Sequence, residues 1–287
     1  MNQYVVGYGD NVVDYYRNQN IKYPGGNAVN FSVNALKNNV TSYYVGSIAN
    51  DNDGDLLYNS LNAVGVGLEH VERFDSTLPT ENTKVDIVDG DRVFVSATRG
   101  DRRTPKLTSS LISFLSNARL VHSSCHSNVE EYLPLLAQNG TRISYDFDSG
   151  PKYHTDDYLK QICPSLYIAQ FSVSDQPDTE VQRLIDRCAT SGVSYALFTR
   201  GSEAPFFIDL SSKQRFDGFN RLVKNPLDTM GAGDSYFAAF ASTFVTTDSS
   251  LTLETRVTES FNRAAESSSR TIMEAGSYGF GIPINNQ

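Results

Sequence analysis

Strand-like and helix-like segments alternate through most of the chain, and this alternation limits the possible folds more than any other feature. Segment 179–191 places four apolar residues at i, i+3, i+4 and i+7, which predicts a helix with one side facing a core. They are Val181, Leu184, Ile185 and Cys188. Strands are predicted at 119–122, 143–147, 166–171, 194–198 and 206–210, and further helices at 107–118, 129–138, 233–247 and 252–274. The pattern predicts a doubly wound α/β fold with a mainly parallel sheet flanked by helices.

The first hundred residues add a second pattern to the same alternation. Strands are predicted at 4–7, 11–16 and 42–48, and helices at 26–37 and 55–64. Segment 83–98 alternates apolar and polar residues on both sides of a turn at Asp89-Gly90-Asp91, which predicts an antiparallel hairpin. Its apolar face is predicted to carry Thr83, Val85, Ile87, Val93, Val95 and Ala97. An antiparallel hairpin in such a chain indicates a small separate sheet.

Composition narrows the possible partners. The 287 residues include 24 Lys+Arg and 33 Asp+Glu, a formal net charge of −9, and the length suits one α/β domain over residues 1–287. An acidic chain lacks the basic face that binding to nucleic acid or an anionic membrane needs, and its apolar runs are too short to cross a bilayer. The first residues show no signal peptide. The three cysteines lack CxxC spacing and are expected to be reduced, so we expect a cytoplasmic protein.

The segment Asp228-Thr-Met-Gly-Ala-Gly-Asp-Ser235 carries the strongest chemical signal. Its residues Gly231, Ala232 and Gly233 precede an Ala- and Phe-rich helix, and glycines there allow a tight turn with open backbone N–H groups. Such a helix N-terminus attracts an anion. Asp234 in the first turn could simply stabilise the helix, and it could also remove a proton from a hydroxyl that attacks a bound phosphate. The two interpretations are compatible.

Other site patterns in the sequence are weaker. The chain has no Gly-Lys dipeptide, so the P-loop pattern is absent. The segment His122-Ser-Ser-Cys125-His126 could suggest zinc, but its spacing is cramped, and contact of His126 with a substrate is the preferred interpretation. Three arginines, Arg99, Arg102 and Arg103, are expected to be solvated, or to meet a carboxylate or phosphate of a substrate.

Two motifs together resemble the ribokinase-like (PfkB) family of carbohydrate kinases. Asp228–Asp234 is similar to the family's C-terminal signature, and Pro24-Gly-Gly-Asn-Ala-Val-Asn30 to its N-terminal double-glycine signature. The resemblance runs in the expected order over nearly the whole chain. It implies a kinase that transfers the γ-phosphoryl group of ATP to a sugar hydroxyl with Mg²⁺, and a β-sheet lid formed by approximately 11–24 and 83–98 that excludes water.

The resemblance also implies roles for individual residues. Asp234 would be the catalytic base, and Gly231, Ala232 and Gly233 would form the anion hole. Sugar hydroxyls would be held by Asp14, Gly25, Gly26 and Asn30. Thr199, Gly201 and Asn262 would lie on the nucleotide side, and Asp175 would orient metal-bound water. Taken alone, Gly25 and Gly26 would be interpreted as a turn and Asn30 as a solvated helix residue. Asp14 could be a surface carboxylate, and Asn262 fits a helix-surface position as well as an adenine contact.

Two segments depart from the family pattern. The family's Asn-x-x-Glu motif is replaced by Ser172-Val-Ser-Asp175, and its Thr-x-Gly-x-x-Gly loop by Thr199-Arg-Gly-Ser-Glu-Ala204. Within the family, the motifs look most like those of fructoselysine 6-kinases, which implies phosphorylation of a fructosamine at its 6-position. The alternatives are a fructokinase, a ribose or nucleoside kinase, or a non-catalytic sugar-sensing module on the same fold. The apolar hairpin would need a cover, which makes a homodimer through the lid an expectation.

Overall fold

The chain forms two β-sheets and eight α-helices within the residues that this computed structural model describes, 3–88 and 91–284. The strands are β1 (Tyr4–Tyr8), β2 (Val12–Tyr16), β3 (Ile21–Gly25), β4 (Thr41–Ala49), β5 (Val71–Phe74), β6 (Asn82–Val88), β7 (Asp91–Thr98), β8 (Leu120–Ser124), β9 (Ile143–Asp146), β10 (Ile168–Ser172), β11 (Tyr195–Arg200), β12 (Glu203–Asp209), β13 (Gln214–Asp217) and β14 (Ile282–Pro283). The helices are α1 (Asn27–Lys37), α2 (Asn52–Val64), α3 (Ser109–Asn117), α4 (Leu133–Gln138), α5 (Asp156–Ile162), α6 (Asp178–Thr190), α7 (Ala232–Thr246) and α8 (Leu253–Thr271).

The larger sheet has nine strands in the order β13-β12-β11-β10-β9-β8-β1-β4-β5. Its pairs are parallel from β11 to β5, while β12 and β13 add an antiparallel edge. The predicted doubly wound, mainly parallel α/β fold with a small second sheet is therefore confirmed. The order turns back between β1 and β8, and ligands of such sheets bind beside the carboxyl ends of the strands near this point.

Helices cover both faces of the larger sheet. Apolar residues of α3, α4, α5 and α6 form one buried cluster with one face, and residues of α1, α7 and α8 form another with the opposite face. Helix α7 is buried from Ser235 to Val245 without a break, which explains its composition of small and aromatic residues. Packing along this buried part of the helix fixes the position of its N-terminus, where Gly233 is exposed.

The smaller sheet has five strands in the order β14-β3-β2-β6-β7. The predicted hairpin is present as β6 and β7, but residues 89 and 90 of its turn lie outside the described residues. Pairing shifts from Lys84↔Ser96 to Val85↔Phe94, so a bulge at Val95 reverses the alternation along β7. The predicted apolar face of β7 is therefore wrong. Phe94, not Val93, shares the face of the buried Val85, although both side chains are largely exposed, Phe94 at 60 % and Val93 at 50 %.

Several element bounds differ from the sequence-based expectation. The helix predicted at 129–138 becomes α-helical only at Leu133, because Pro134 lacks an N–H group and fits only the first turn of a helix. Strands β5, β13 and β14 and helix α5 were not predicted: β5, β13 and α5 are short and carry many polar residues, and β14 has only two residues, one of them a proline. No helix in the described ranges is both long and apolar enough to span a membrane.

Candidate active site

A cavity of about 480 Å³ lies beside the carboxyl ends of β1, β4, β8 and β9 and faces the smaller sheet. Seven acidic residues line it: Asp10, Asp14, Glu81, Asp101, Asp146, Asp148 and Asp234. Three arginines line it as well, namely Arg92, Arg102 and Arg103. Four residues that the sequence analysis named for a substrate or base, Asp14, Gly26, Asn30 and Asp234, are among its walls.

The turn before α7 is fixed by the carboxylate of Asp228, which is buried. Its Oδ1 accepts the N–H of Met230 at 2.9 Å, and its Oδ2 accepts the N–H of Gly276 at 2.7 Å and the hydroxyl of Tyr16 at 2.6 Å. Gly231 follows with φ of 72°, the left-handed conformation that favours glycine. A Cβ atom there would also lie 2.7 Å from the Cβ of Ser277. The sequence of this turn thus matches its backbone shape.

The first turn of α7 offers backbone donors to a ligand. Among the described residues no side chain caps this terminus; the N–H of Ala232 donates to the carbonyl of Thr229 at 3.3 Å, while the N–H groups that follow in the first turn have no intrahelical acceptor. Gly233 is exposed, and a Cβ atom placed on it would meet nothing within 4 Å. The open N–H groups and the positive end of the helix dipole together suit an anion such as a phosphate.

The carboxylate of Asp234 lies in the first turn of α7 and is held by two amides of α1. Asn30 Nδ2 donates to its Oδ2 at 2.6 Å, and Asn27 Nδ2 donates to its Oδ1 at 3.1 Å. Burial raises the pKa of Asp234, while the hydrogen bond from Asn30 and the charge of Arg92 act in the opposite direction. The geometry places a partly buried proton acceptor at the cavity wall.

Asn27 connects Asp234 to a second buried carboxylate. Its Nδ2 also donates to Asp146 Oδ2 at 2.8 Å, and its Oδ1 lies 2.8 Å from Nε2 of His122. Burial raises the pKa of Asp146 to about 7, and the nearby charge of Asp234 adds to the shift. The N–H of Asn27 itself donates to Asp10 Oδ2 at 2.7 Å, so Asp10 caps α1 from the loop after β1.

Two polar groups of the cavity remain suited to a hydroxylated ligand. Asp14 is 5 % exposed, and a Cβ atom on the neighbouring Gly25 would lie 3.0 Å from its Oδ2, so glycine keeps that approach open. Asn30 Oδ1 is buried and has no hydrogen-bond partner among the described residues. Buried acceptors without a partner are costly, and a ligand hydroxyl would satisfy this one.

Comparison with known proteins identifies the family. The model of the pfkB family of carbohydrate kinases matches residues 1–284. The chain belongs to this family. It is therefore a carbohydrate kinase, a phosphotransferase, and kinases of the pfkB family use ATP. The acidic, partly buried Asp234 beside an open helix N-terminus lies within this kinase's C-terminal signature segment, Asp228–Asp234.

Two curated relatives of this kinase act on related substrates according to their names. The fructosamine kinase FrlD of Bacillus subtilis is 31% identical over 282 residues, which are 97% of this chain and 94% of that protein. The fructoselysine 6-kinase of Escherichia coli K12 is 28% identical over 238 residues, covering 81% of this chain and 85% of the relative.

Solved structures of sugar kinases share the fold. Ribokinase from Giardia lamblia superposes with a TM-score of 0.80 at 18% identity, over 96% of this chain and 94% of that one. Fructokinase with bound ATP from Xylella fastidiosa gives 0.76 at 17% identity, over the same shares of the two chains. At such identities the likeness concerns the fold alone.

The residues named for the nucleotide and metal lie apart from the cavity walls. Thr199 and Gly201 are at the carboxyl end of β11, where Thr199 Oγ1 lies 3.3 Å from Ser172 Oγ and Gly201 has φ of 62°. Asp175 is exposed in the turn after β10. Asn262 is exposed on α8, and its Nδ2 donates to the carbonyl of Thr258 at 3.0 Å. Their roles stay predictions.

The structure shows the surroundings of the three arginines and of the segment considered for zinc. Arg102 pairs with Glu81 through two nitrogens, Arg103 Nε lies 2.9 Å from Asp101 Oδ2, and Arg99 is exposed. Ligand atoms of Cys125, His126 and Asp148 lie within 4.8 Å of one another. However, His126 Nε2 is bonded to Asp148 Oδ2 at 3.0 Å.

The hydrogen bond between His126 and Asp148 bears on whether Cys125, His126 and Asp148 could bind a metal. Burial lowers the pKa of His126, but the hydrogen bond to Asp148 and the neighbouring carboxylates raise it overall. A protonated imidazole donates hydrogen bonds and offers no lone pair to a metal. The hydrogen bond to Asp148 and the raised pKa of His126 favour a hydrogen-bonded pair at the cavity wall over a zinc site.

Four residues of the site were not predicted from the sequence: Asn27, Asp146, Asp10 and Arg92. Asn27 was within reach, because it stands directly between Gly26 and Ala28 of the recognised motif. Asp146 and Asp10 each follow or end a predicted buried strand, a position that parallel sheets use for ligand-binding residues. Arg92 had no such signal, since the bulge that turns this part of β7 toward the cavity is invisible in the pattern.

Asp14 makes the stability of this kinase depend on pH. Burial raises its pKa to about 7, against 3.8 for an ordinary aspartate, although Arg92 and Thr83 act in the opposite direction. The folded state therefore binds the proton more tightly, and the stabilisation is full below about pH 4 and lost as the pH rises through 7. We expect Asp14→Asn to raise the free energy of unfolding by about 1 to 3 kcal/mol at pH 8, and much less at pH 5. Urea unfolding at both pH values measures this.

The exposed Asp248 provides the matched control. Its side chain bonds only the local turn, where Ser250 N donates to it at 2.9 Å, so Asp248→Asn should leave the difference between the two pH values as in the wild type. Equal pH dependence of the Asp14→Asn variant and the wild type would contradict the raised pKa of Asp14.

Proposed function

We propose that this kinase transfers the γ-phosphoryl group of ATP to a hydroxyl of a ketose-type sugar, specifically a fructosamine such as fructoselysine, at its 6-position. One observation carries the proposal: the carboxylate of Asp234 lies at the cavity wall and at the N-terminus of α7, within reach of both a sugar and a phosphate. The names of the two curated relatives support the substrate class.

Asp234 would act as the base of the transfer. It accepts the proton of the attacking hydroxyl as the oxygen bonds to the γ-phosphorus, and the bond from that phosphorus to the bridging oxygen of ADP breaks. The backbone N–H groups of Gly231, Ala232 and Gly233 stabilise the negative charge on the transferred group. A raised pKa supports this role, because a carboxylate with a higher pKa is a stronger proton acceptor.

Asp14, Gly25, Gly26 and Asn30 would hold the sugar. The free Oδ1 of Asn30 can accept one hydroxyl, and the Asp14 carboxyl group can bind another. The glycines keep side chains away from the sugar ring, as the short distance from Gly25 to Asp14 illustrates. Several short polar groups around one cavity are what a polyol requires.

The nucleotide side is proposed to include Thr199, Gly201 and Asn262, with Asp175 for Mg²⁺. Mg²⁺ needs few protein ligands, because it keeps several waters and binds the phosphates of its substrate. The exposed carboxylate of Asp175, an oxygen donor at the end of β10, fits this demand. A bound Mg²⁺ would neutralise charge on the phosphates; the residues of the chain supply orientation and the proton acceptor.

We further propose one domain over residues 1–287 with a lid formed by approximately 11–24 and 83–98, and a homodimer through that lid. Strand β7 is the edge of the smaller sheet and exposes three apolar side chains, which a second subunit would cover. They are Val93, Phe94 and Val95. Sedimentation of the wild type as a monomer at micromolar concentration would contradict the dimer.

A substrate screen tests the proposed function. ATP consumption is measured with fructoselysine, fructose, ribose and adenosine under identical conditions, and fructoselysine is expected to give the highest kcat/KM. Preference for fructose, ribose or adenosine would overturn the substrate class and leave the kinase intact. Calorimetry that showed sugar binding with neither ATP binding nor turnover would favour the sugar-sensing alternative instead.

A further inference from the structure

His122 is a buried group outside both family signatures. It belongs to β8, is 2 % exposed, and packs against the rings of Phe31 and Phe237 at centroid distances of 4.4 and 4.9 Å. Both of its nitrogens have partners: Nε2 lies 2.8 Å from Asn27 Oδ1, and Nδ1 lies 3.0 Å from Ser144 Oγ. A polar ring in an aromatic environment with both nitrogens satisfied calls for a physical reason.

The contacts of Asn27 determine the protonation of His122. Because Asn27 Nδ2 donates to two carboxylates, Asp146 and Asp234, its Oδ1 must be the atom that faces His122. An amide oxygen only accepts, so Nε2 of His122 carries the hydrogen. Burial lowers the pKa of His122 to about 3, although the charge of Asp10 and a hydrogen bond with the backbone of Ser144 act in the opposite direction; in a neutral ring whose Nε2 carries the hydrogen, Nδ1 can accept the hydroxyl of Ser144. One tautomer satisfies all of these contacts.

We infer that His122 is a positioning residue of the transfer reaction, which holds Asn27 in the orientation that presents its N–H groups to Asp234 and Asp146. The inference rests on the proposed function, in which Asp234 is the base. The geometry supplies the reason: with the amide reversed, Asn27 Oδ1 would face both carboxylates, and oxygen would lie against oxygen. The N–H group of His122 opposes this reversal, because it bonds only to the oxygen of the amide.

Two substitutions at His122 separate positioning from packing. His122→Phe keeps a ring packed against Phe31 and Phe237 but removes the N–H donor, whereas His122→Gln can place an amide N–H near the position of Nε2. We expect His122→Phe to lower kcat roughly tenfold with KM for the sugar within about twofold, since the base is displaced while the sugar groups remain. His122→Gln should recover most of the lost kcat.

The pH profile provides a second readout. In His122→Phe, Asp234 loses a firmly held donor that favours its charged form, so its pKa should rise and the acidic limb of kcat should move to higher pH. Ser144→Ala removes the hydroxyl beside Nδ1 of His122, so that either ring nitrogen can carry the hydrogen. It should move the acidic limb of kcat in the same direction by a smaller amount. Equal loss in His122→Phe and His122→Gln, or unchanged kcat and pH profile in His122→Phe, would overturn the inference.

A double-mutant cycle shows whether His122 acts through Asn27. If it does, Asn27→Ala and the double variant Asn27→Ala/His122→Phe should have the same kcat, because Asn27→Ala alone already removes the link between His122 and Asp234. Additive losses would mean that His122 acts by another route and would contradict the inference.

A spectroscopic measurement is independent of the substrate and of activity. In protein labelled with ¹⁵N-histidine, the signals lost in His122→Phe should be those of a neutral Nε2–H tautomer throughout the pH range from about 5 to 9. A protonated ring or the Nδ1–H tautomer would overturn the inference. Failure of the wild type to phosphorylate any sugar would instead count against the proposed function. The tautomer of His122 would still show whether its Nε2–H faces Asn27.

Discussion

Replacing Asp234 by asparagine is expected to lower kcat by about 10² to 10⁴ and to leave the fold intact. The asparagine side chain has nearly the same size, but it cannot accept the proton of the attacking hydroxyl. The contacts to Asn27 and Asn30 can be kept in part, since the amide oxygen still accepts one of them. Initial rates at saturating sugar and ATP give kcat, and urea unfolding reports the stability of the variant.

Asp186 supplies the control for this experiment. It is an exposed carboxylate on α6, which packs against the face of the larger sheet opposite to α7, so Asp186→Asn should keep the kcat of the wild type. A parental rate in Asp234→Asn with its best substrate would show that another group takes the proton. In that case Asp146, which shares Asn27 with Asp234, would be the next carboxylate to replace.

The second large effect is expected from a pair of glycines two positions apart. Gly231→Ala introduces a Cβ at a left-handed φ of 72° and 2.7 Å from the Cβ of Ser277, and should lower the free energy of unfolding by about 1 to 3 kcal/mol. Gly233→Ala meets no neighbour within 4 Å and should keep or slightly raise stability, because alanine favours a helix.

Enzyme kinetics should also distinguish Gly233→Ala from Gly231→Ala. A methyl group on Gly233 projects into the open space beside the N–H groups, where a phosphate would bind, so KM for ATP should rise about tenfold or more while KM for the sugar stays near that of the wild type. Thermal unfolding and kinetics of both variants provide the measurement. An unchanged KM for ATP in Gly233→Ala would place the phosphate away from this terminus.

Much of the fold was predictable because its signals are local. The stripe on α6 and the glycines before α7 can be recognised from a few consecutive residues. The smaller sheet was anticipated from the alternation in 83–98, but the bulge at Val95 was not, since one inserted residue reverses a face without changing composition.

The candidate site was predictable only where a motif names its residues. Asp14 and Asn30 follow from the resemblance, and the structure brings both to the cavity with Asp234. The relay from Ser144 through His122 to Asn27 links three elements that are distant in sequence, and nothing local marks its members as partners. Contacts of this kind arise from strand order, which a single sequence does not contain.

The anchoring of Asp228 has a consequence for exchanging parts among related kinases. Its carboxylate receives the hydroxyl of Tyr16, which belongs to the smaller sheet, and the N–H of Gly276 near the end of the described chain. The turn before α7 is thus built from three distant stretches of sequence. A chimaera that imports β2 without a tyrosine at this position would leave a buried carboxylate short of a donor, and would loosen the N-terminus of α7 through a strand that contributes no residue to that turn.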